Sequence, residues 1–122
     1  MTAIPRISLA EKFSSFTDHG HPKIVGELNG QQVKLAKFQG AFVWHAHERE
    51  DELFLVVRGG FTMEFRDHTV ELREGEMIIV PRGVEHRPVA EQEVWVMLFE
   101  PAGTLNTGSA GGARTIAQPE RI

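Results

Sequence analysis

Cysteine and tyrosine are both absent from this sequence of 122 residues. Without cysteine the chain can form no disulfide, thiolate nucleophile or sulfur-rich zinc site, so any bound metal must be held by histidine and carboxylate. Without tyrosine one common general acid is missing, and proton transfer is left to His, Asp, Glu and Lys.

Long apolar runs and basic clusters are also missing. No run approaches the roughly 18 apolar residues that a membrane span needs, and the N-terminus lacks the uninterrupted apolar core of a secretion signal. The 13 Lys and Arg residues are scattered and are outnumbered by 17 Asp and Glu residues, for a net charge of -4. We therefore expect a cytoplasmic protein whose partners include neither nucleic acid nor a membrane.

The length and the 41% hydrophobic content allow one packed core and are too small for two ordinary domains. Ser8 followed by Glu11 is a capping box, which predicts one short helix near the N-terminus. We expect an N-terminal arm over residues 1–22, a β-domain over 23–101, and a glycine-rich tail over 102–122 that lies on the body or is partly disordered.

The rest of the chain reads as strands. Asn29-Gly30 between two strand-like runs is the strongest short hairpin signal. Turn-forming residues separate the other candidates, which are 42–47, 53–57, 61–66, 69–72, 77–80, 84–89 and 94–99. About nine short strands predict an all-β, antiparallel sandwich, barrel or jelly roll with a short N-terminal helix.

Two histidines one residue apart suggest a metal site. In a strand, His45 and His47 would point to the same face, so their imidazoles could converge on a metal inside a barrel or could face solvent on an edge strand. The polar run 48–51 reads as a turn that brings Glu52 back beside them. A buried, unpaired Glu52 before an apolar run would be costly, and a metal would offset that cost.

A third histidine, His86, follows a turn in which Pro81 fixes φ and Gly83 permits a left-handed conformation. Together the positions His45-x-His47-x4-Glu52-x6-Gly59 and Gly75-x5-Pro81-x-Gly83-x2-His86 resemble the two motifs of the cupin superfamily. The resemblance covers about residues 32–100. It departs from the usual pattern in two non-ligand positions, where Gly40 lies five rather than six residues before the first histidine and Ala90 replaces a common Asn.

The cupin resemblance implies an antiparallel β-barrel of jelly-roll type, and it implies His45, His47, Glu52 and His86 as metal ligands. Three imidazoles and one carboxylate favour Fe, Mn or Ni, with Zn or Co possible. A metal-dependent enzyme is expected, either dioxygenase-like or an isomerase or lyase, with Glu52 also serving as a catalytic base. The alternative is a non-catalytic protein that binds a metal or small molecule in the same pocket. The His-Asp dyad and Tyr acid of metal-independent sugar epimerases are not matched, because tyrosine is absent.

Alternating apolar residues suggest the walls of the pocket, although each alone could simply belong to the core. We expect a small, fairly apolar chelating substrate. The predicted lining residues are Phe54, Trp95, Met97 and Phe99, and the polar candidates at the mouth are Arg82, Arg87 and Gln39.

Other charged and histidine positions are read as solvated. Gly20 and Pro22 mark the His19-x-His21 pair as a loop, and His68 lies in a turn. The glutamates Glu85, Glu93 and Glu100 are read as surface charges.

Assembly is expected to be a homodimer. An edge strand at 23–28, preceded by the helical arm, is an element that could pair across a two-fold axis and so be covered.

Overall fold

Most of the predicted strands form in the structure, a computed structural model that describes residues 3–122. The all-β prediction with a short N-terminal helix is confirmed. The elements within the described residues are α1 (Leu9–Ser14), β1 (Lys23–Leu28), β2 (Gln31–Ala41), β3 (Glu52–Arg58), β4 (Gly60–Phe65), β5 (Thr69–Arg73), β6 (Met77–Val80), β7 (His86–Pro101), a 3-10 turn (Gly108–Ala110) and β8 (Glu120–Arg121).

Two local signals produce the structures that they predict. The Ser8 side chain accepts a hydrogen bond of 3.2 Å from the backbone N–H of Glu11 and so caps α1. Asn29 and Gly30 both have positive φ, 52° and 77°, and close a two-residue hairpin in which Leu28 faces Gln31 across β1 and β2. Positive φ at both central residues is the requirement of a type I′ turn, whose twist matches that of the strands.

The long strand β7 closes the jelly-roll barrel. Its one edge pairs with β2 along most of its length, while its other edge pairs first with β4 and then with β3. The prediction of two separate strands at 84–89 and 94–99 is wrong. A register shift opposite Phe38 and Gly40 lets the chain between Ala90 and Val94 bulge without ending the strand.

The predicted strand at 42–47 does not form. β2 ends at Ala41, and beyond it only an isolated bridge joins His45 to the sheet. The backbone groups are satisfied by loops instead of a ladder: Gly83 N–H donates to His47 O at 2.8 Å, and Ser109 N–H donates to Ala46 O at 2.8 Å.

Side chains pack on both faces of the sheet. The alternate residues Val94, Val96 and Leu98 of β7 face the barrel core. Trp95 faces outward, where its ring stacks on Phe13 of α1 with centroids 4.8 Å apart. Burial of an aromatic side chain of this kind contributes on the order of 1.5–3 kcal/mol. The helix α1 and the outer face of the sheet thus form a second hydrophobic core.

The C-terminal segment, residues 102–122, lies against the barrel. Its strand β8 adds to β1 in parallel, pairing Lys23 with Glu120, and Ile122 N–H donates to Ile24 O at 3.0 Å. Thr107 is fully buried. The first part of the β1 edge is therefore occupied by the chain's own C-terminal segment. Within the described residues, every helix is too short or too polar to cross a membrane.

Candidate metal centre

The four side chains predicted as ligands come together inside the barrel. His45, His47, Glu52 and His86 each offer one donor atom, and these four atoms all lie within 4.8 Å of one another. None of the four residues is more than 3% exposed. The cluster could therefore hold one metal ion away from bulk water.

Three different parts of the fold place these donors. His45 and His86 exchange backbone hydrogen bonds of 3.1 and 2.9 Å, so the loop after β2 is fixed to the start of β7. Glu52 is the first residue of β3 and faces Val80 of β6, which brings it back beside the histidines as predicted. His47 is held through its carbonyl by the turn at Gly83.

Hydrogen bonds orient two of the imidazoles. The Nδ1 atom of His45 lies 2.8 Å from Val43 O, and that of His86 lies 2.9 Å from Val84 O. A carbonyl can only accept, so each Nδ1 carries the proton and each Nε2 presents a lone pair. This arrangement of a second partner behind a ligating histidine is typical of metal sites.

The donor atoms themselves have no hydrogen-bond partner among residues 3–122. His47 Nε2, His86 Nε2 and Glu52 Oε1 are all buried and unsatisfied, although Glu52 Oε1 lies only 3.3 Å from the first and 3.6 Å from the second. Buried polar atoms without partners are costly. A divalent cation among them would satisfy all three, so the residues fit a metal ion.

Burial controls the charge of the His45 side chain. Loss of hydration and, next, the nearby charge of His86 lower the pKa of His45 from 6.5 to about 4. His45 is therefore neutral near pH 7. A neutral imidazole is the form that binds a metal.

A second carboxylate, Glu100, lies beside Glu52 and is only 1% exposed. Burial and then the adjacent Glu52 raise the pKa of Glu100 well above its ordinary value. Burial would also raise the pKa of Glu52, but the neighbouring Glu100, His47 and His86 outweigh this effect and lower that pKa. Of these two carboxyl groups, Glu100 is thus the one that holds a proton more readily, and Glu52 is the one that is ionised.

The buried Lys34 lies on the other side of Glu100. Its Nζ donates to Glu100 Oε1 at 2.9 Å and to Thr104 O at 3.3 Å, and both Lys34 and Glu100 are nearly inaccessible. The reading of Glu100 as a surface charge is therefore wrong. Alternation along the strand could have revealed this burial, because Glu100 lies two residues after Leu98 and four after Val96, on the same inward face of β7.

The inner cavity, which has a volume of about 60 Å³, opens onto the donor cluster. Its walls are almost entirely apolar. They are Gly20, Pro22, Ala36, Phe38, Phe42, His45, Glu52, Phe54, Pro88, Val96, Leu98 and Asn106.

Of the four predicted lining residues, only Phe54 lies on this cavity. Trp95 and Met97 instead pack in the outer core against α1, and Phe99 shares their face of β7, with only partial burial. The correction has a simple cause: β7 buries both faces, and its even-numbered residues are the ones inside. The pocket is nonetheless apolar, as expected.

The predicted mouth residues divide in the same way. Gln39 lines a neighbouring outer cavity, whereas Arg82 pairs with Asp51 at 3.2 Å and Arg87 pairs with Glu64 at 2.6 Å. His68 is exposed.

The C-terminal segment contributes to the site in a way that the sequence did not indicate. Ala46 N–H donates to Ser109 Oγ at 3.1 Å, and Ser109 N–H donates back to Ala46 O at 2.8 Å. Asn106 also reaches the wall of the inner cavity. No local pattern in the sequence links positions that are 63 residues apart.

A jelly-roll barrel with three histidines and a glutamate gathered inside it is a small β-barrel protein with a candidate metal site. The sequence model of the cupin domain family matches residues 31–100 of this chain. This chain belongs to the cupin domain family.

Three relatives illustrate the similarity. The crystal structure of a cupin-2 domain containing protein from Shewanella frigidimarina is 44% identical, with a TM-score of 0.77 over 78% of this chain and 93% of that one. A protein from Neisseria meningitidis is 31% identical, with a TM-score of 0.74 over 80% of this chain and 100% of that one. The uncharacterized protein YdbB of Bacillus subtilis is 38% identical over 64 residues, which span 52% of this chain and 57% of YdbB. The predicted cupin jelly roll is confirmed.

Proposed function

We propose that this protein is a metal-dependent enzyme acting on a small, fairly apolar substrate that chelates the metal. The observation that carries the proposal is the group of buried donor atoms without hydrogen-bond partners beside an apolar cavity. Such a combination of an apolar pocket with a few convergent polar groups is the usual form of a ligand site. The predicted cytoplasmic location stays a prediction.

The donor set supports a redox-active or Lewis-acidic divalent ion. Three imidazoles and one carboxylate suit Fe, Mn or Ni; Co is possible, and Zn more often takes four ligands in a closed tetrahedron. When bound, the metal would polarise a carbonyl or enol oxygen of the substrate, or provide a place for O2 beside it.

Glu52 is the residue best placed to move a proton. It lines the inner cavity together with His45, and its Oε1 has no hydrogen-bond partner among the described residues. We propose that Glu52 accepts a proton from the carbon or hydroxyl of the substrate, which yields an enolate. The reaction is then either dioxygenation of that enolate by O2, an isomerisation in which Glu52 returns the proton at another carbon, or an elimination in which the enolate expels a β-substituent that takes up the proton.

A non-catalytic binding protein is the second candidate. Apart from the donor residues, the polar residue of the inner wall is Asn106. Its amide is already engaged, because Nδ2 donates to Arg114 O at 2.8 Å and Oδ1 accepts from Ile116 N–H at 2.8 Å. An inner cavity with few groups for proton transfer favours binding without turnover.

Metal content tests the first step of the proposal. Tag-free wild type, His47→Ala and Glu52→Ala are analysed by elemental mass spectrometry, with His68→Ala as a control that removes an exposed histidine. We expect close to one Fe, Mn or Ni per wild-type and His68→Ala chain and strong loss in the other two. A wild type that stays metal-free after anaerobic reconstitution would contradict the metal site.

Turnover separates the two candidates. The loaded protein is incubated with small diketones and enols, and O2 uptake and product formation are followed against Glu52→Gln. Turnover that is reduced in Glu52→Gln supports the enzyme. Tight binding of these compounds without turnover in the wild type would instead favour the binding protein.

A further inference from the structure

A second cavity adjoins the inner cavity. The outer cavity has a volume of about 270 Å³ and shares Gly20, Phe38 and Phe42 with the inner one as walls. Its remaining walls come from the loop before β1, the end of β2 and the C-terminal segment. These are His19, His21, Gln39, Gly40, Ala41, Ala113 and Arg114.

The two volumes imply that a substrate occupies both cavities. The inner cavity of about 60 Å³ is well below the roughly 150 Å³ of an apolar cavity that holds one benzene molecule. A chelating organic molecule with a ring or a short chain therefore does not fit inside the inner cavity alone. Once its chelating end lies at the donor cluster, the other end must extend into the outer cavity.

The outer cavity carries a cation without an acidic partner. Arg114 donates from Nη1 to Ala41 O at 3.1 Å, and its guanidinium carbon lies 5.8 Å from the Phe42 ring centroid. Among residues 3–122, Arg114 makes no salt bridge, and no Asp or Glu lines the cavity. Its remaining N–H groups are thus free for an incoming ligand.

The two histidines of the outer cavity differ from Arg114 in this respect. His19 lies 2.7 Å from Glu93, and His21 lies 3.1 Å from Asp18. Each imidazole therefore already has a carboxylate as a polar partner. Arg114, which stays charged at all relevant pH values, is the lining group that favours an anion.

The backbone of Arg114 is also fixed in place. Asn106 Nδ2 donates to Arg114 O, and Asn106 is at the same time part of the inner wall. One residue thus joins the two cavities through the C-terminal segment. An arginine whose backbone is already fixed loses less conformational entropy when its guanidinium binds a carboxylate.

We propose that the outer cavity is a subsite for a carboxylate, held by Arg114, on a substrate whose other end chelates the metal. This inference rests on the proposed function of the inner site. It narrows the substrate class to chelating molecules that are apolar in the middle and carry an acid at the far end. Gln39, on the same wall, adds a neutral hydrogen-bonding group.

Matched probes test this subsite without knowledge of the substrate. Protein reconstituted with Co(II) is titrated by calorimetry with protocatechuate and homoprotocatechuate, two catechols with ring-borne acids of different reach, and with their methyl esters. We expect at least one acid to bind about tenfold more tightly than its ester, a difference of about 1.4 kcal/mol. Added salt should weaken the binding of the acid and leave the binding of the ester unchanged.

Arg114→Gln should abolish the preference for the acid and leave the affinity for the ester unchanged. Arg73→Gln is the matched control, since Arg73 is exposed on β5 and lines neither cavity. Equal binding of both acids and their esters to the wild type, or an acid preference that survives in Arg114→Gln, would overturn the subsite. Failure of every acid and ester to bind in a metal-dependent way would overturn the proposed function and the subsite with it.

Discussion

Gly108 lies so close to Ala46 that a Cβ atom at position 108 would overlap the Ala46 carbonyl oxygen. The same atom would lie 3.1 Å from His47 Nδ1. Gly108 also has a φ of +49°, which L side chains rarely adopt. The C-terminal segment is therefore in direct contact with a residue of the candidate metal centre.

Gly108→Ala should disturb both stability and metal binding. The left-handed backbone costs about 1–2 kcal/mol and the overlap about 1–3 kcal/mol, so we expect a loss of roughly 2–5 kcal/mol in the free energy of unfolding. Gly103→Ala is the control: its φ is +86° and it has open space around it, so only the backbone cost applies. Urea unfolding and metal titration check this, and equal losses in both variants would refute the contact.

Glu100→Gln should be tolerated better than Glu100→Leu. Glutamine, like a protonated Glu100, is neutral and keeps an oxygen that can accept from Lys34 Nζ, whereas leucine leaves the buried Lys34 without this acceptor. Removal of the partner of a buried charged group costs about 3–5 kcal/mol, because that charge is left uncompensated. We expect the leucine variant to lose about that much in urea unfolding and the glutamine variant about 1 kcal/mol. Similar losses would contradict the proton assignment.

Acid should destabilise the metal-free protein through His45. Its pKa is about 4 in the folded chain and about 6.5 when unfolded, so between these values the unfolded state binds more protons. The free energy of unfolding therefore falls as the pH drops from about 6.5 to about 4, by up to about 3 kcal/mol.

His45→Asn should remove this share of the acid sensitivity. We expect the loss of unfolding free energy between pH 7 and pH 4.5 to be smaller in His45→Asn than in wild type, both measured in chelator. His68→Asn, at an exposed site, should behave like wild type. An unchanged pH dependence in His45→Asn would show that His45 is not the titrating group.

We propose that the chain forms a homodimer, and that the contact lies at β6 rather than at β1. The start of the β1 edge is covered by β8, whereas β6 pairs only with β3 within the described residues. Met77 and Ile79 on β6 are 59% and 56% exposed. An open strand edge beside exposed apolar side chains is a typical contact surface.

Light scattering at micromolar concentration should give twice the chain mass of 13.7 kDa. Ile79→Glu should yield the monomer. Leu28→Glu, which changes a 48% exposed residue of β1, should remain dimeric. A monomeric wild type would contradict the dimer. If Leu28→Glu were monomeric and Ile79→Glu dimeric, the contact would lie at β1 instead of β6.

Local chemistry explains what could be predicted from the sequence. Turn residues act over a few positions, so the Asn29-Gly30 hairpin and the capped helix follow directly from their residue types. The donor cluster also follows from spacing, even though 42–47 is a loop. The bridge between His45 and His86 achieves what a regular strand was expected to achieve.

Long-range packing explains what could not be predicted. Which face of β7 is inside depends on α1, which covers Trp95 from a distant part of the chain. The burial of Glu100 depends on Lys34, 66 residues away. The two hydrogen bonds between Ala46 and Ser109 depend on how the C-terminal segment packs against the barrel. None of these partners lies within the range of a sequence motif.

The C-terminal segment lies outside residues 31–100, the part of the chain that matches the family. It nevertheless touches His47 through Gly108 and forms part of both cavity walls through Asn106 and Arg114. We therefore expect two proteins with identical motif residues but different C-terminal segments to differ in the molecules that they bind, a difference that comparison of the motifs alone would miss.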